Sequence, residues 1–420
     1  MTDDRQENVT NSPSKTASAS MKVLFVHQYC GAMGGAEADI LLAAGSLKER
    51  GHAVGLLYSE RTGRGEAAWE QAFAERYTLA GGDNSEAARN AARQFNPDVV
   101  YFHSLPDLGV LGALLDSPAP LVRRVHDHRM YCMRGGKYNY FTRAVCQRPT
   151  SWKCVFPCLA SIGRNPDGLV PFKWVSYQAK KRELELNRKC DCLLVYSEYQ
   201  KEELARNGFD AAKIEVRVPV HDAGPAGDES SFDNKNLILF AGQVIRGKGV
   251  DLLLRALAKI NFPFQAAIVG EGNHRPYCEA LSKRLGLAGR VKFHGFVPRD
   301  ELKHFYQEAS LLAVSSVWPE PFGLVGREAM RHGLPVVGFD AGGIREWLLD
   351  GENGFLVPWM DTDRFAERME QLLRDKELAR RLGRRGRELT NQQKEASRQV
   401  CPFEQALLRA AQRRSPQTLI

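Results

Sequence analysis

The chain lacks the long apolar segments that mark membrane-spanning and secreted proteins. None of its apolar runs approaches the roughly 18 residues that a transmembrane helix needs. Residues 1–20, MTDDRQENVTNSPSKTASAS, contain no apolar core of the kind found in a secretory signal peptide. Their polar composition predicts a disordered tail, with Met21 as the first ordered residue. These absences favour a cytoplasmic protein.

A disulfide framework is also not indicated. The 420 residues contain nine cysteines, an odd number, which argues against full pairing in a cytoplasmic chain. Four of them are separated by thirteen, seven and three residues: Cys132, Cys146, Cys154 and Cys158. Thiolates are good zinc ligands, so this group suggests a structural zinc, although the spacing is not that of paired CxxC knuckles. Buried free thiols are the alternative.

Acidic residues are outnumbered by basic ones. The chain has 58 Lys and Arg against 50 Asp and Glu, a net charge of +8. The excess is concentrated in KKRELELNRK (180–189) and RRLGRRGRE (380–388). A solvated helix face is the simplest account of such clusters, and contact with a membrane surface is the alternative. No nucleic-acid-binding motif accompanies them, so we expect no nucleic-acid partner.

Short apolar runs alternate with amphipathic stretches along the chain, which predicts βαβ units and parallel sheets. The alternation stops at a segment rich in Pro, Gly, Asp and Ser and then restarts. The predicted fold class is therefore α/β, with two Rossmann-like doubly wound domains facing a cleft. The predicted parts are a tail (1–20), a first domain (21–222) with a cysteine-rich insertion (128–160), a linker (223–236), a second domain (237–395), and a C-terminal helix (396–420) that can cross back by analogy with the fold.

Glycine turns follow three of the predicted strands, at 31–37, 242–249 and 268–274. The second turn has the Gly-x4-Gly-Lys of a P-loop, but Gly249 stands where a Mg²⁺-binding Ser or Thr is required, so an ATPase is disfavoured. A helix N-terminus with Arg246 and Lys248 nevertheless suits a diphosphate. The alternative is a plain strand-to-helix turn with surface cations.

Two glutamates flank a predicted helix start in PEPFGLVGREAMRHGLPVVG (319–338). With a helix beginning near Gly323, Glu328 lies about 7–8 Å along its axis and Glu320 lies before its N-terminus. Free amides at that terminus attract an anion. The arrangement suits a nucleotide-sugar, with a carboxylate for the hydroxyls on each side of its diphosphate. The alternative is an N-cap and a surface glutamate.

These motifs, taken in order, carry a resemblance to a known family. Residues 237–358 resemble the donor domain of the family 4 retaining glycosyltransferases, which have the GT-B fold. The likeness rests on GQVIRGKGVDLLLRAL, AAIVGEG, VKFHGFVPRDEL and the run from SSVWPEPFG to GENGFLV, whose two glutamates separated by seven residues form the family signature. MKVLFVHQYCGAMGGAE, PDVVYFHS and LVRRVHDH are similar too, so the resemblance extends from Met21 to residue 375.

The resemblance implies roles for matching residues. Glu320 would contact the transferred sugar near its reacting end, and His126 would approach that sugar from the first domain. Glu328 would hold the ribose and Lys248 the diphosphate. The residues implied in binding the donor, a UDP- or GDP-sugar, are Gly34, Gly35, Arg246, Lys248, Gly270, Glu271, Phe322, Gly323, Leu324 and Glu328. Many relatives have an arginine where this chain has Gln243, and Arg246 could supply that charge.

The chemistry implied is sugar transfer with retention at the anomeric carbon, to a glycan or lipid-linked acceptor. Cations and helix amides would stabilise the leaving diphosphate, so no catalytic cofactor is expected. The DTD at 361–363 has the letters of a metal motif, but its place before a helix favours N-capping.

The expected setting is polysaccharide, lipopolysaccharide or other cell-envelope synthesis, at the inner face of the plasma membrane. The alternatives are a nucleotide-sugar epimerase or hydrolase on the same fold, and a non-catalytic nucleotide-binding scaffold. The cysteine-rich insertion resembles one found in some relatives and would shape the acceptor pocket.

Overall fold

The computed structural model describes residues 20–31, 35–79, 82–164, 172–218, 236–399 and 401–414. The predicted tail and the predicted linker lie outside these ranges, apart from residues 20 and 236. Among the described residues, no helix combines the length and the apolar character needed to cross a membrane.

The first domain is built on parallel strands whose side chains are mostly buried. Its strands are β1 (Lys22–Cys30), β2 (Ala53–Arg61), β3 (Glu75–Thr78), β4 (Val99–Ser104), β5 (Leu121–Arg124), β6 (Ile162–Arg164), β7 (Phe172–Trp174), β8 (Cys192–Val195) and β9 (Ile214–Val216). Seven of them form one parallel sheet in the order β3-β2-β1-β4-β5-β8-β9, while β6 and β7 form a separate antiparallel pair. Continuous Val, Leu and Phe runs such as that of β1 suit a sheet covered on both faces.

Helices cover both faces of this sheet. They are α1 (Gly35–Glu49), α2 (Glu66–Ala72), α3 (Asn84–Phe95), α4 (Leu108–Leu115), α5 (Tyr177–Arg188) and α6 (Glu198–Arg206). Asp83 and Asp107 cap the N-termini of α3 and α4 by accepting hydrogen bonds from the first free amides. The cysteine-rich insertion follows β5, contains a short 3-10 turn at Trp152–Cys154 and leads into the β6–β7 pair.

The second domain repeats the plan with six parallel strands. They are β10 (Leu237–Ala241), β11 (Gln265–Val269), β12 (Val291–Gly295), β13 (Leu311–Val314), β14 (Val336–Phe339) and β15 (Gly354–Val357), in the order β12-β11-β10-β13-β14-β15. Its helices are α7 (Val250–Leu257), α8 (Arg275–Arg284), α9 (Arg299–Glu308), α10 (Leu324–Arg331), α11 (Thr362–Arg374) and α12 (Lys376–Gln399). One core lies on each face of the sheet. The predicted α/β class with two doubly wound domains is confirmed.

The last helix of the chain packs against the first domain. Helix α12 runs without a break past the predicted boundary at residue 395, and α13 (Pro402–Arg414) then packs against β4 and β5. Ala406, Leu407 and Ala410 are buried in a core with residues of β1 and β2. Buried His52 contacts Glu404 at 2.8 Å, which fixes α13 to the loop before β2.

The order of the strands determines where the loops that carry the candidate site residues lie. In the first sheet the order of the strands changes direction between β1 and β4: the strands that precede β4 in the sequence lie on one side, and the later ones on the other. In the second sheet the order changes in the same way between β10 and β13. In doubly wound sheets, ligands bind at the carboxyl ends of strands beside such a switch in order. The loops after β10 and β13 carry Lys248 and Glu320, two of the residues singled out in the sequence.

Candidate active site

Two glycine loops of the second domain pack backbone against backbone. Gly242 donates to Val269 O at 2.9 Å, and Gly270 has φ +135°. A Cβ added at Gly270 would lie 1.9 Å from Gly242 O, and one at Gly272 would lie 2.4 Å from Val244 O. Glycine is therefore required at both positions for this close approach. The packing sets the loop after β10 against the loop after β11, which also carries Glu271.

Gly249 explains why this loop is not a P-loop. It has φ +65° and lies at the start of α7, and an added Cβ would lie 2.0 Å from Ser315 O. No serine or threonine hydroxyl can therefore occupy the position without moving the loop after β13. The close approach also lets Ser315 Oγ donate to Lys248 O at 2.9 Å.

Lys248 and Glu320 form an ion pair between the two loops that flank the β10/β13 switch. Lys248 Nζ lies 2.6 Å from Glu320 Oε1, and Ser316 donates to the same oxygen. Glu320 is 5% exposed. Its backbone is fixed as well, because its N–H donates to Ala341 O and its carbonyl accepts from Gly343 N.

This pairing keeps Glu320 ionised despite its burial. Burial acts to raise the pKa of the carboxyl group, but the charge and hydrogen bond of Lys248 and the hydrogen bond of Ser316 outweigh it. The net effect is a pKa below the ordinary value. Lys248 is itself about one fifth exposed and lies over the ring of Trp318, 5.1 Å from its centroid. The site therefore holds a carboxylate and an accessible ammonium side by side.

Helix α10 begins where the sequence predicts. Gly323 is its N-cap with φ +88° and offers no side chain to cap the first amides. Buried Phe322 directly precedes it and accepts a hydrogen bond through its carbonyl from the Trp347 indole N–H. Leu324 is the first helical residue. Half-buried Glu328 accepts a hydrogen bond from Tyr306 at 3.2 Å. The uncapped amides of α10 thus follow closely on Glu320 in the same loop, and Lys248 reaches that loop from the loop after β10.

Arg246 contacts the cysteine-rich insertion. Its Nε donates to Tyr140 O at 3.1 Å, and its guanidinium lies over the Tyr140 ring. Gln243 is exposed on the same loop. Replacement of the missing arginine by Arg246 stays a prediction, and in this structure the residue connects the loop after β10 to the insertion of the first domain.

His126 belongs to a buried polar cluster at the carboxyl ends of β1, β4 and β5. Its Nε2 lies 3.0 Å from His103 Nδ1, and its Nδ1 lies 2.7 Å from the Tyr196 hydroxyl. Burial first, and then the neighbouring histidine and Arg124, hold the pKa values of His126 and His103 well below the ordinary range. Both rings are therefore neutral near pH 7. The approach of His126 to a sugar stays a prediction, because both ring nitrogens have partners inside this domain.

His128, which the sequence analysis does not single out, makes one of the direct contacts across the cleft. His128 Nε2 donates to Pro319 O at 2.6 Å, and its Nδ1 accepts from the Tyr131 hydroxyl. The ring is fully buried and holds the residue before Glu320 in place. His128 lies in the same VHDH motif as His126, two residues further along the chain.

Other contacts also join the domains. Ser197, the N-cap of α6, donates to Pro321 O at 2.5 Å, and Glu346 accepts from the Glu198 and Tyr199 amides at 2.9 and 2.8 Å. A side chain of the second domain thereby caps a helix of the first. The insertion adds a buried pair between Arg143 and Asp251, at 2.8 Å.

The remaining predicted residues have these places. Gly34 lies outside the described residues, and Gly35 is the first residue of α1. Glu271 is paired with Arg275. Asp361 caps α11 by accepting from Asp363 N and Arg364 N, as predicted for the DTD segment.

The four cysteines of the insertion are free thiols. In the part of the chain that the structure describes, no three His, Cys, Asp or Glu side chains are grouped as metal ligands would have to be. Burial raises the pKa of the Cys154 thiol, and the other thiols of the insertion raise it further. The structural zinc at these four residues stays a prediction from the sequence.

Comparison with known proteins agrees with this architecture. The family model described as "Glycosyl transferases group 1" matches residues 225–389, and "Glycosyltransferase Family 4" matches residues 33–218. The two sheets, the cleft and the switch-point loops define a GT-B protein. The chain belongs to the glycosyltransferase families that these two models describe.

Relatives match over part of their length. The lipopolysaccharide core biosynthesis glycosyltransferase LpsE of Rhizobium meliloti is 30% identical over 48% of this chain and 59% of the relative. A D-inositol 3-phosphate glycosyltransferase of Corynebacterium urealyticum is 31% identical over 46% of this chain and 53% of the relative. The match thus spans about half the length of each.

Solved structures share the fold over nearly the whole chain. Anabaena HepE, determined in complex with UDP and glucose, has a TM-score of 0.65 at 20% identity, covering 94% of this chain and 99% of HepE. Sucrose-phosphate synthase from Thermosynechococcus elongatus has a TM-score of 0.64 at 18% identity, covering 93% of this chain and 98% of the synthase. At these identities the likeness establishes the fold.

The first prediction concerns Gly249. We expect Gly249→Ser to destabilise the protein more than Gly286→Ser, because both glycines have φ near +65° but an added Cβ at Gly286 meets nothing within 4 Å. The control isolates the backbone strain of about 1–3 kcal/mol. The collision with Ser315 O should add about 1–3 kcal/mol, measured by urea unfolding. Equal losses for the two variants would contradict the proposed reason for glycine at this position.

The second prediction concerns the ion pair and pH. Lys248→Met should lower the free energy of unfolding by about 3–5 kcal/mol at pH 7, because Glu320 is left buried and unpaired. Since the folded-state pKa of Glu320 lies below its ordinary 4.5, the stabilisation is present above pH 4.5 and is lost as pH falls through the folded-state pKa.

The gap between wild type and Lys248→Met should therefore narrow on acidification. The double variant Lys248→Met/Glu320→Gln is the control and should recover part of the loss at pH 7. A gap that stays constant down to low pH would show that the lysine stabilises by packing alone.

Proposed function

We propose that this protein transfers a sugar from a nucleotide diphosphate sugar to a glycan or lipid-linked acceptor, with retention at the anomeric carbon. The observation that carries the proposal is the Lys248–Glu320 pair beside the uncapped amides of α10, at the switch point of the second sheet. A diphosphate needs cations and free N–H donors, and a sugar needs a carboxylate for its hydroxyls. Both are present where the loop after β10 meets the loop after β13.

In the proposed reaction the bond between the anomeric carbon and the diphosphate oxygen breaks, and negative charge develops on the leaving group. Lys248 and the first amides of α10 would stabilise that charge, so the chemistry needs no metal. An ammonium group has three donors, so Lys248 can bind a phosphate oxygen while it keeps Glu320.

Glu320 would act by binding the sugar. Lys248 and Ser316 both bond its Oε1, so Oε2 is the oxygen that a sugar hydroxyl would meet. Glu328 would accept from the ribose at the other end of the donor, and Phe322, Gly323 and Leu324 would present backbone to the diphosphate. His126, neutral and held by two hydrogen bonds, would orient the sugar from the first domain.

The names of similar proteins support the class of substrate. HepE was solved with UDP and glucose, and LpsE is named for lipopolysaccharide core synthesis. We therefore propose a UDP- or GDP-sugar as donor and an envelope or exported polysaccharide, or its lipid-linked precursor, as product. The setting proposed is the inner face of the plasma membrane. Zinc in the insertion stays a prediction, which metal analysis of the purified protein decides.

Donor binding gives the third prediction. Glu328→Ala should weaken binding of nucleoside and of nucleoside diphosphate alike, by about 1–3 kcal/mol, since a ribose acceptor is lost from both. Lys248→Ala should weaken the diphosphate far more than the nucleoside. Calorimetry with both ligands measures this, with Glu377→Ala and Lys283→Ala as surface controls. Equal losses for the two ligands in Lys248→Ala would remove the phosphate assignment.

Product analysis gives the fourth prediction and tests the proposed activity. Protein incubated with a labelled nucleotide-sugar and an envelope membrane fraction should form a sugar bonded to a new acceptor. Glu320→Gln keeps the shape of the site and should lower that rate by about 100-fold or more. Release of free sugar would indicate a hydrolase and an isomerised donor an epimerase. Donor binding with no turnover across a panel of acceptors would indicate a scaffold.

A further inference from the structure

Exposed apolar side chains are concentrated in one part of the molecule. Among the described residues, twelve large apolar side chains are exposed, and seven of them lie between residues 140 and 174. The most exposed of these are Phe141, Trp152, Phe156 and Trp174, at 74%, 63%, 67% and 75%. Single exposed apolar residues need no explanation, but a concentration of this kind in one short segment marks an interaction site.

Local structure places five of these side chains in two groups of neighbours. Phe156 N donates to Trp152 O, so both side chains lie on one helical turn. Ile162 N donates to Leu159 O, which makes them neighbours on the next turn. Ile162 is directly opposite Trp174 in the β6–β7 pair. We call these five residues, together with the exposed Lys153 and Lys173 that adjoin Trp152 and Trp174 in the sequence, the insertion surface.

The charge of this region has one sign. Residues 128–160 contain six Lys and Arg and no Asp or Glu. Two of the cations are buried and paired with acids outside the insertion, Lys137 with Glu203 and Arg143 with Asp251. Arg148 and Lys153 are exposed, as is Lys173 in β7. Exposed tryptophan and phenylalanine side chains thus share this part of the chain with exposed cations.

We propose that the insertion surface docks on an anionic lipid bilayer. Tryptophan and phenylalanine enter the boundary between headgroups and acyl chains, and lysines bind the anionic headgroups around them. A second copy of this chain is a poorer occupant, because two surfaces of the same positive sign repel each other.

Docking at the insertion surface has a consequence for the cleft, because the insertion also contacts the second domain. The insertion contacts the second domain through Arg143 with Asp251 and through Tyr140 with Arg246, on the loop that carries Lys248. A bilayer bound at the insertion surface would therefore lie close to the edge of the cleft. This locates the membrane contact of the proposed function, but vesicle binding needs no sugar transfer and is tested separately from it.

The test uses the full chain and vesicle co-sedimentation. The protein should bind vesicles of phosphatidylcholine with phosphatidylglycerol, bind pure phosphatidylcholine vesicles weakly, and lose binding at high salt. Trp152→Ser/Phe156→Ser/Trp174→Ser should reduce the partition coefficient at least tenfold. Phe296→Ser, at a 77% exposed aromatic on the second domain, is the matched control and should bind as wild type does.

Charge reversal tests the second half of the proposal. Lys153→Glu/Lys173→Glu should reduce binding to anionic vesicles by about 30-fold or more, since each cation near the surface contributes about a factor of five. Lys283→Glu, an exposed lysine on α8, is the control. All variants should keep the wild-type melting temperature and nucleoside diphosphate affinity, which separates loss of docking from loss of the fold or of the donor site.

Three results would overturn the proposal. They are equal binding to neutral and anionic vesicles, unchanged binding by the aromatic variant, and a concentration-dependent dimer that the aromatic variant abolishes. The last would make the insertion surface a contact between copies of the chain. If nucleotide binding fails while vesicle binding holds, the proposed function fails and the docking stands.

Discussion

The ion pair between Lys248 and Glu320 is the contact on which the rest of the site depends. It joins the loops after β10 and β13, the two neighbouring strands between which the strand order of the second sheet changes direction. A buried carboxylate without its partner costs several kcal/mol, so the two loops are held in one relative position. Gly249 makes the approach sterically possible, because its missing Cβ leaves room for Ser315 O. The same glycine excludes the hydroxyl of a P-loop, so close loop packing and Mg²⁺ binding through a P-loop Ser or Thr are alternatives at this position.

Contacts from the first domain reach the same segment from the other side. His128 binds the carbonyl of Pro319 and Ser197 binds that of Pro321, so the residues on both sides of Glu320 are held across the cleft. Glu346 adds a cap on α6. The position of Glu320 is therefore set by both domains, and opening of the cleft would release its neighbours. Such coupling lets the chemistry depend on closure.

The sequence predicts the fold well because continuous apolar runs and glycine turns are local signals. The strands β1, β10 and β15 and the start of α10 at Gly323 lie where the pattern places them. A contact between two residues that are far apart in the sequence has no such local signal. Lys248 and Glu320 were identified as separate binding residues, and nothing in their 72-residue separation indicates that they bond each other.

The same limit applies to His128, whose partner comes from the other domain, and to Arg246, whose partner is on the insertion. The cysteine spacing suggested zinc because thiolates bind it. Among the described residues, no group of side chains is arranged as metal ligands. The spacing of residues along an irregular loop does not determine where their side chains meet, so the zinc stays a prediction.

A lysine already paired with a carboxylate is well suited to receive a diphosphate. In the free protein Glu320 keeps Lys248 in one place, so the entropy of ordering a long side chain is lost on folding and not on binding. In the proposed function a diphosphate would give the ammonium group a second anion while it keeps the first, because its three donors point in different directions. The bound diphosphate would repel the Glu320 carboxylate, but the exclusion of water would strengthen the attraction of the ammonium group to each of its two anions. Under the proposed function the positive charge would thus be in position before the donor binds, which is the condition under which electrostatic stabilisation of a leaving group is most effective.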